Sequence, residues 1–377
     1  MECRIKNIGW TLGNDCPCTC KHCYSFDVRR KGKNLSKEIV DRIIDQILRL
    51  DVETVNIGGN EPVFTSGLDA KKSLLPYILR RLYESKIDVG ITTSGISLVV
   101  LKEQFPDSLH LLNDVDISLD SPIEKEHNDN RGGNIYQFAI KALDICGENH
   151  IQSGIIMCAM NWNFTVDRLK KLVALAREYD ATVRINLLKP TEERHIALMP
   201  SKKQLEEGYS YLFSECNVID LSEPVIAGAA NNRKVTGCSC GTTSLRINSI
   251  TPDGKVMVSP CVYMHDFRVG NLLEDDITEI VSSKAFKDFQ YRKNHYEQIS
   301  MCRECELSPI CRGGCFAAAY LTDKHQTGAG NLMSVDPYCL KNTNNYMQTL
   351  VNYTSGEKNL VHQDYLCTCI LKPKVHI

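Results

Sequence analysis

Apolar residues in the first half of the chain fall into two alternating rhythms. Residues 35–50 place Ile39, Ile43, Ile44, Ile47 and Leu48 at helical spacing behind Ser36, a residue suited to N-capping. Residues 74–82 repeat that stripe with Leu75, Ile78 and Leu79, and residues 98–104, 136–146 and 166–179 continue it. Between them lie short apolar runs at 5–11, 54–57, 89–93, 115–119, 155–159 and 183–188, which read as buried strands. Strand–helix alternation in this series predicts an α/β fold: a parallel sheet with helices outside, barrel-like or doubly wound. In either form ligands sit at the carboxyl ends of the strands, where the loops converge.

The second half has a different pattern. Residues 191–237 read as a bridging region with one helical stretch at 202–213. Residues 245–250 and 255–258 flank Thr251-Pro252-Asp253-Gly254, a turn sequence, and predict a hairpin. Residues 276–289 predict a helix, and cysteines then dominate to Cys339. A C-terminal tail from 346 to 377 holds Leu366-Cys367-Thr368-Cys369. The resulting division is 1–190, 191–237, 238–345 and 346–377, with no internal repeat.

Charge adds little to this picture. The 377 residues carry 44 Lys and Arg against 46 Asp and Glu, so nothing electrostatic points to nucleic acid or a membrane surface. The first residues, MECRIKNIGW, lack the apolar core of a signal peptide, and no run of about 18 apolar residues occurs. A cytoplasmic protein is expected. Cysteine changes the picture more. Eighteen cysteines in such a chain point to metal binding or redox chemistry, because the cytosol keeps thiols reduced. Cys3, Cys146, Cys158 and Cys216 stand alone and read as small buried apolar residues.

The remaining cysteines cluster. Asn14-Asp15-Cys16-Pro17-Cys18-Thr19-Cys20-Lys21-His22-Cys23-Tyr24 follows the first strand, and Cys16, Cys20 and Cys23 form C-x3-C-x2-C. Three thiolates on one tight loop can hold three irons of a four-iron cluster and leave the fourth open to a ligand. A structural zinc site normally has four closed ligands in paired C-x2-C units. Cys18 is a further possible ligand, but only the trio without it gives both spacings.

The C-x3-C-x2-C loop, with His22 before its third cysteine, resembles the radical S-adenosylmethionine superfamily. The resemblance implies a partial (β/α)6 barrel over 1–190 and a [4Fe–4S] cluster on the three cysteines. It also implies S-adenosyl-L-methionine on the open iron, cleaved by one electron to a 5′-deoxyadenosyl radical that abstracts hydrogen from substrate. Gly58-Gly59-Asn60-Glu61-Pro62 resembles the turn that contacts the methionine amino group. Asn60 stands there for a glycine, and asparagine tolerates positive φ. Ser94 after the third strand, Ser118 and Asp120 at the fourth, Arg131, and Arg184 and Asn186 in the sixth are implied cofactor contacts, as is His22.

Cys302, Cys305, Cys311 and Cys315 give C-x2-C-x5-C-x3-C, with Cys339 downstream and Cys238, Cys240 and Cys261 upstream. This resembles the SPASM domain, which carries two auxiliary [4Fe–4S] clusters and brings the implied total to three. One would take Cys302, Cys305, Cys311 and Cys339, the other Cys240, Cys261 and Cys315. Gly254 to Cys261 leaves six residues where the family usually has four, which a longer hairpin absorbs. Cys238, which shares a loop with Cys240, is expected to be the fourth ligand of that cluster; Cys367 or Cys369 folding back, or an iron free for substrate, are the alternatives.

Arg29-Arg30-Lys31-Gly32-Lys33 reads as a solvated loop, and His110, His127, His150 and His195 lack metal-like spacing. The resemblance implies a peptide or protein substrate, foremost a ribosomally made precursor peptide given a thioether, a carbon–carbon crosslink or a backbone change. A sulfatase-type maturase forming formylglycine is the alternative, and an iron–sulfur electron carrier or scaffold the alternative of another class. A flavodoxin or ferredoxin would supply electrons. The stretch before Cys16 leaves no room for an N-terminal leader-binding domain, so leader recognition, where needed, is expected to use the bridge, the tail or a separate leader-binding protein.

Overall fold

The alternation of apolar runs becomes a single open sheet in the computed structural model, which describes residues 4–29, 31–341, 346–355 and 359–375. Cys3 and Arg30 lie outside the described residues. The strands are β1 (Asn7–Trp10), β2 (Thr54–Ile57), β3 (Asp88–Thr93), β4 (Asp114–Ser118), β5 (Gln152–Ala159), β6 (Thr182–Leu187), β7 (Cys216–Leu221), β8 (Ser244–Ile247), β9 (Met257–Ser259), β10 (Val269–Asn271) and β11 (Cys369–Pro373). Their order is β10-β9-β8-β1-β2-β3-β4-β5-β6-β11-β7. Strands β1 to β6 run parallel, and β8 joins β1 in parallel. Both β2 and β4 are buried along their whole length, as expected of parallel strands covered on two faces.

The helices form where the apolar stripes place them. Lys37–Ile47 buries Val40, Ile43, Ile44 and Ile47, and the Ser36 side chain accepts from the Ile39 N–H. Leu75–Glu84, Ile96–Gln104, Tyr136–Glu148 and Val166–Glu178 follow β2 to β5 in turn; Ile96–Gln104 is buried all round its first turn, and the other three bury one face each. One expectation fails. Residues 276–289 form two helices, Ile277–Ser282 and Lys284–Asp288, because Ser283 leaves the helical region (φ −63°, ψ 154°) and caps the second by accepting from the Phe286 N–H. A serine oxygen at an N-cap satisfies an N–H that a continuing helix would not expose.

The hairpin turn closes as the sequence suggests, with Thr251 and Lys255 bonded and Gly254 at φ +86°. The C-terminal segment holds more structure than its pattern suggested. The Val361 carbonyl accepts from Asn7 and Thr54, and its N–H donates to Asp114, so the segment crosses the amino-terminal ends of β1, β2 and β4. It then enters the sheet as β11, antiparallel to both β6 and β7.

Candidate functional site

The cysteine loop leaves β1 and docks on the end of the helix Glu124–Arg131. The Thr19 N–H donates to the Arg131 carbonyl (3.1 Å) and the Lys21 N–H to that of Asn130 (2.9 Å). Gly132, at φ +71°, makes this approach possible, since a Cβ there would sit 2.0 Å from Thr19 Oγ1. Cys16, Cys20 and Cys23 all line a cavity of about 240 Å³. The Cys18 thiol is within hydrogen-bonding reach of those of Cys16 and Cys20. Its hydrogen bond is the main reason the Cys20 thiol is drawn down to about 6 against the effect of burial. A thiol so displaced is ready to bind metal as thiolate.

The turn after β2 faces the same cavity. Gly59 carries its left-handed conformation (φ +98°), and a Cβ there would meet Arg246 Nη2 and Thr11 Oγ1 at 2.5 Å. Asn60 does not use its tolerance of positive φ. Its Nδ2 instead donates to the carbonyls of Asp15 (3.1 Å) and Phe64 (3.3 Å), holding the cysteine loop to the turn. The Glu61 carboxylate accepts from the Ser94 N–H (2.9 Å), Ser94 Oγ (2.6 Å) and the Ser97 N–H (2.8 Å), and from Thr93 Oγ1. It therefore staples the β2 turn to the β3 turn.

Asp120 is fully buried after β4 and accepts from Arg131 Nε (2.8 Å) and Asn130 Nδ2 (3.0 Å). Burial by itself would raise its carboxyl. Arg131, with His22 and His127, outweighs that and holds it below the carboxylate range. Arg184 on β6 pairs with Asp116 and bonds His362 Nδ1 (2.6 Å) and Thr368 Oγ1 (3.2 Å). All the expected cofactor contacts line the cavity except Pro62; Ser118 and Asn186 are among them.

Two arginines outside the sequence motifs also line the cavity. Arg246 on β8 is 5% exposed and lines the cavity. It donates to the Gly58 carbonyl (2.6 Å) and Thr11 Oγ1. The signal was a charged residue inside the apolar run of the hairpin. Arg29, expected in a solvated run, is 4% exposed, lines the cavity and donates to the Asn14 carbonyl (3.1 Å). Lys31 and Lys33 of that run are exposed. Cys158, expected as a core residue, also borders the cavity, whereas Cys146 and Cys216 are buried in the core. His127 and His195 are buried, and His110 and His150 exposed.

At its other side the cavity is lined by Cys240, Cys261, Cys315 and Cys367. Cys238 lies 3.1 Å from Cys367, sulfur to sulfur, and the sulfurs of Cys238, Cys240 and Cys367 all fall within 4.8 Å of one another. Cys302, Cys305, Cys311 and Cys339 form a separate neighbourhood whose thiols act electrostatically on one another. Buried Arg292 runs between the two sets, acting on Cys302 and Cys315. Cys369 is inside β11, paired with Ile185 and Leu221 and away from these sets. Soft, buried thiols converging in threes and fours, with no disulfide among the described residues, are the donor set iron–sulfur clusters take.

Comparison with known proteins agrees with this geometry. Residues 10–176 match the family described as the radical SAM superfamily, and residues 238–306 match SPASM, an iron–sulfur cluster-binding domain. The chain is a radical SAM enzyme with a SPASM domain. It is 27% identical over 348 residues to the mycofactocin maturase MftC of Mycolicibacterium smegmatis, covering 89% of this chain and 82% of that one. The Mycobacterium ulcerans MftC is also 27% identical, covering 89% and 87%. Among solved structures, native anSMEcpe with bound AdoMet and Kp18Cys peptide superposes at a TM-score of 0.65, with 15% identity over 91% of this chain and 95% of that one. SuiB of Streptococcus suis gives 0.61, with 16% identity over 90% and 77%. At such identity the two structures speak for the fold alone.

Proposed function

We propose that this enzyme matures a ribosomally made precursor peptide, using S-adenosyl-L-methionine and three [4Fe–4S] clusters in the cytoplasm. The carrying observation is that one cavity is bounded by the three-cysteine loop on one side and by a second set of thiols on the other. The MftC relatives, named as maturases, favour a peptide over a sulfatase. When bound, the first cluster and its cofactor supply a 5′-deoxyadenosyl radical for hydrogen abstraction.

The chain's own residues do the positioning. Cys16, Cys20 and Cys23 are the ligands of the first cluster, and the Gly59 turn keeps the backbone clear beside it. Glu61 locks the β2 and β3 turns, so Ser94 is presented at a fixed height. Asp120 and Arg131 neutralise each other, and Asp120 and Asn130 orient His22. Cys302, Cys305, Cys311 and Cys339 hold one auxiliary cluster, and Cys240, Cys261 and Cys315 the core of the other. A flavodoxin or ferredoxin provides electrons.

Anaerobically reconstituted protein is expected to hold about twelve irons, and Cys16, Cys20 and Cys23 changed together to alanine to remove about four. With dithionite and S-adenosylmethionine it should release 5′-deoxyadenosine slowly. A short peptide encoded beside its gene should accelerate release and gain an oxidative modification. No deoxyadenosine from fully loaded protein would overturn the activity. Formylglycine made on a sulfatase peptide, with no change to the precursor, would overturn the substrate.

A further inference from the structure

We propose that Cys367 is the fourth ligand of the cluster on Cys240, Cys261 and Cys315, so that this cluster clasps the C-terminal segment to the wall of the cavity. The proposal rests on the reading of those three cysteines as cluster ligands.

The placement of the thiols favours Cys367 over Cys238. Both sulfurs are within reach of Cys240, but they face different spaces. Cys367 lines the large cavity together with Cys240, Cys261 and Cys315. Among the described residues Cys238 borders instead a small space of about 10 Å³, shared with Lys293 and Arg312. Its carbonyl is fastened there by Lys293 Nζ at 3.1 Å. A cuboidal cluster needs its four thiolates around one volume, and Cys367, unlike Cys238, borders the cavity that Cys240, Cys261 and Cys315 border.

The backbone delivers Cys367 to that point at little further entropic cost. Upstream, His362 is held by Arg184 and Asp116, and the Tyr365 carbonyl accepts from Ser239 Oγ at 2.6 Å. Downstream, Cys369 is already hydrogen-bonded into β11. Cys367 is thus suspended between two anchors. Its loop partner Ser239 lies between Cys238 and Cys240, just before β8, while Cys367 lies just before β11. A cluster shared by these two loops ties the β8 side of the open sheet to the β11 side, and closes the cavity between them. Metal binding that bridges two segments stabilises their contact in the folded state.

The test uses the full chain, reconstituted anaerobically, as wild type, Cys367→Ala, Cys367→Ser and Cys238→Ala. Iron content, the EPR spectrum of the reduced protein and hydrogen exchange over residues 359–375 are measured, with the first cluster's S-adenosylmethionine-dependent EPR change as the check on folding. Cys367→Ala is expected to lose or shift one auxiliary signal, with a loss of up to about four irons, and to speed exchange in 359–375. Cys367→Ser should keep the iron with a shifted signal, since an oxygen ligand replaces sulfur. Cys238→Ala should match wild type in all three readouts. The assignment is overturned if Cys238→Ala loses the signal while Cys367→Ala keeps it, if both lose it, or if neither does. A wild type with no auxiliary signal at all would instead sink the reading of the site on which the assignment rests.

Discussion

Replacing Gly59 by alanine separates two physical costs that meet at one position. The first is conformational. At φ +98° a side chain is strained, and the penalty for such a residue is about 1–3 kcal/mol. The second is steric. The new Cβ would lie 2.5 Å from both Arg246 Nη2 and Thr11 Oγ1 and 3.0 Å from the Tyr24 hydroxyl, so the guanidinium must move. Moving it gives up its 2.6 Å bond to the buried Gly58 carbonyl, a charged hydrogen bond worth about 1.5–3 kcal/mol. Together the change should destabilise the chain by about 2.5–6 kcal/mol, the sum of those ranges. Two other glycines isolate the parts. Gly67 has φ +70° with nothing within 4 Å of its Cβ position, so Gly67→Ala carries the backbone cost alone. Gly9 has ordinary φ but would place a Cβ 2.6 Å from Arg246 Nη1, so Gly9→Ala carries the displacement alone. Thermal unfolding of the reconstituted proteins under nitrogen, followed by circular dichroism, should rank Gly59→Ala below both. S-adenosylmethionine titration should show weaker binding for Gly59→Ala and Gly9→Ala but not for Gly67→Ala. A Gly59→Ala midpoint equal to that of Gly67→Ala would refute the role given to Arg246.

Glu61→Gln should cost about 3 kcal/mol and weaken cofactor binding, because an amide nitrogen would face the Ser94 donors. Denaturant unfolding checks it, and an unchanged midpoint would show that the staple is dispensable. Acid stability offers a further check at His362. Burial first, and Arg184 second, depress its imidazole to about 4, so the native form stays neutral while the unfolded form takes a proton below about 6.5. Its contribution is therefore lost as pH falls from about 6.5 to about 4. Asp114 and Glu223, raised to about 7 mainly by burial, slope the other way, so the difference between wild type and His362→Gln is the quantity to measure. The variant should show a shallower fall across that window, by up to one proton or about 1.4 kcal/mol per pH unit. Parallel curves would contradict it.

The chain's linear pattern was sufficient for much of this molecule. Strands β1 to β6 and the helices between them follow from local period, because each buries a face that its own residues spell out. The first cysteine loop is equally local: three cysteines within eight residues need no tertiary information to be grouped. The glycine turn and Asp120 could be placed for the same reason, each standing at the end of a recognisable strand. What the linear pattern left undecided were partners far apart along the chain. Arg246 reaches Gly58 across 188 residues, and Cys367 reaches Cys238 across 129. Neither separation carries a periodic signal. Arg29 looked solvated because its neighbours are cationic, yet the loop folds over it, and only the packed structure shows which member of a charged run is inside. The C-terminal segment is the clearest case. Thr368 and Cys369 have no strand pattern of their own, and β11 exists because β6 and β7 leave unpaired backbone groups between them that must be satisfied on burial.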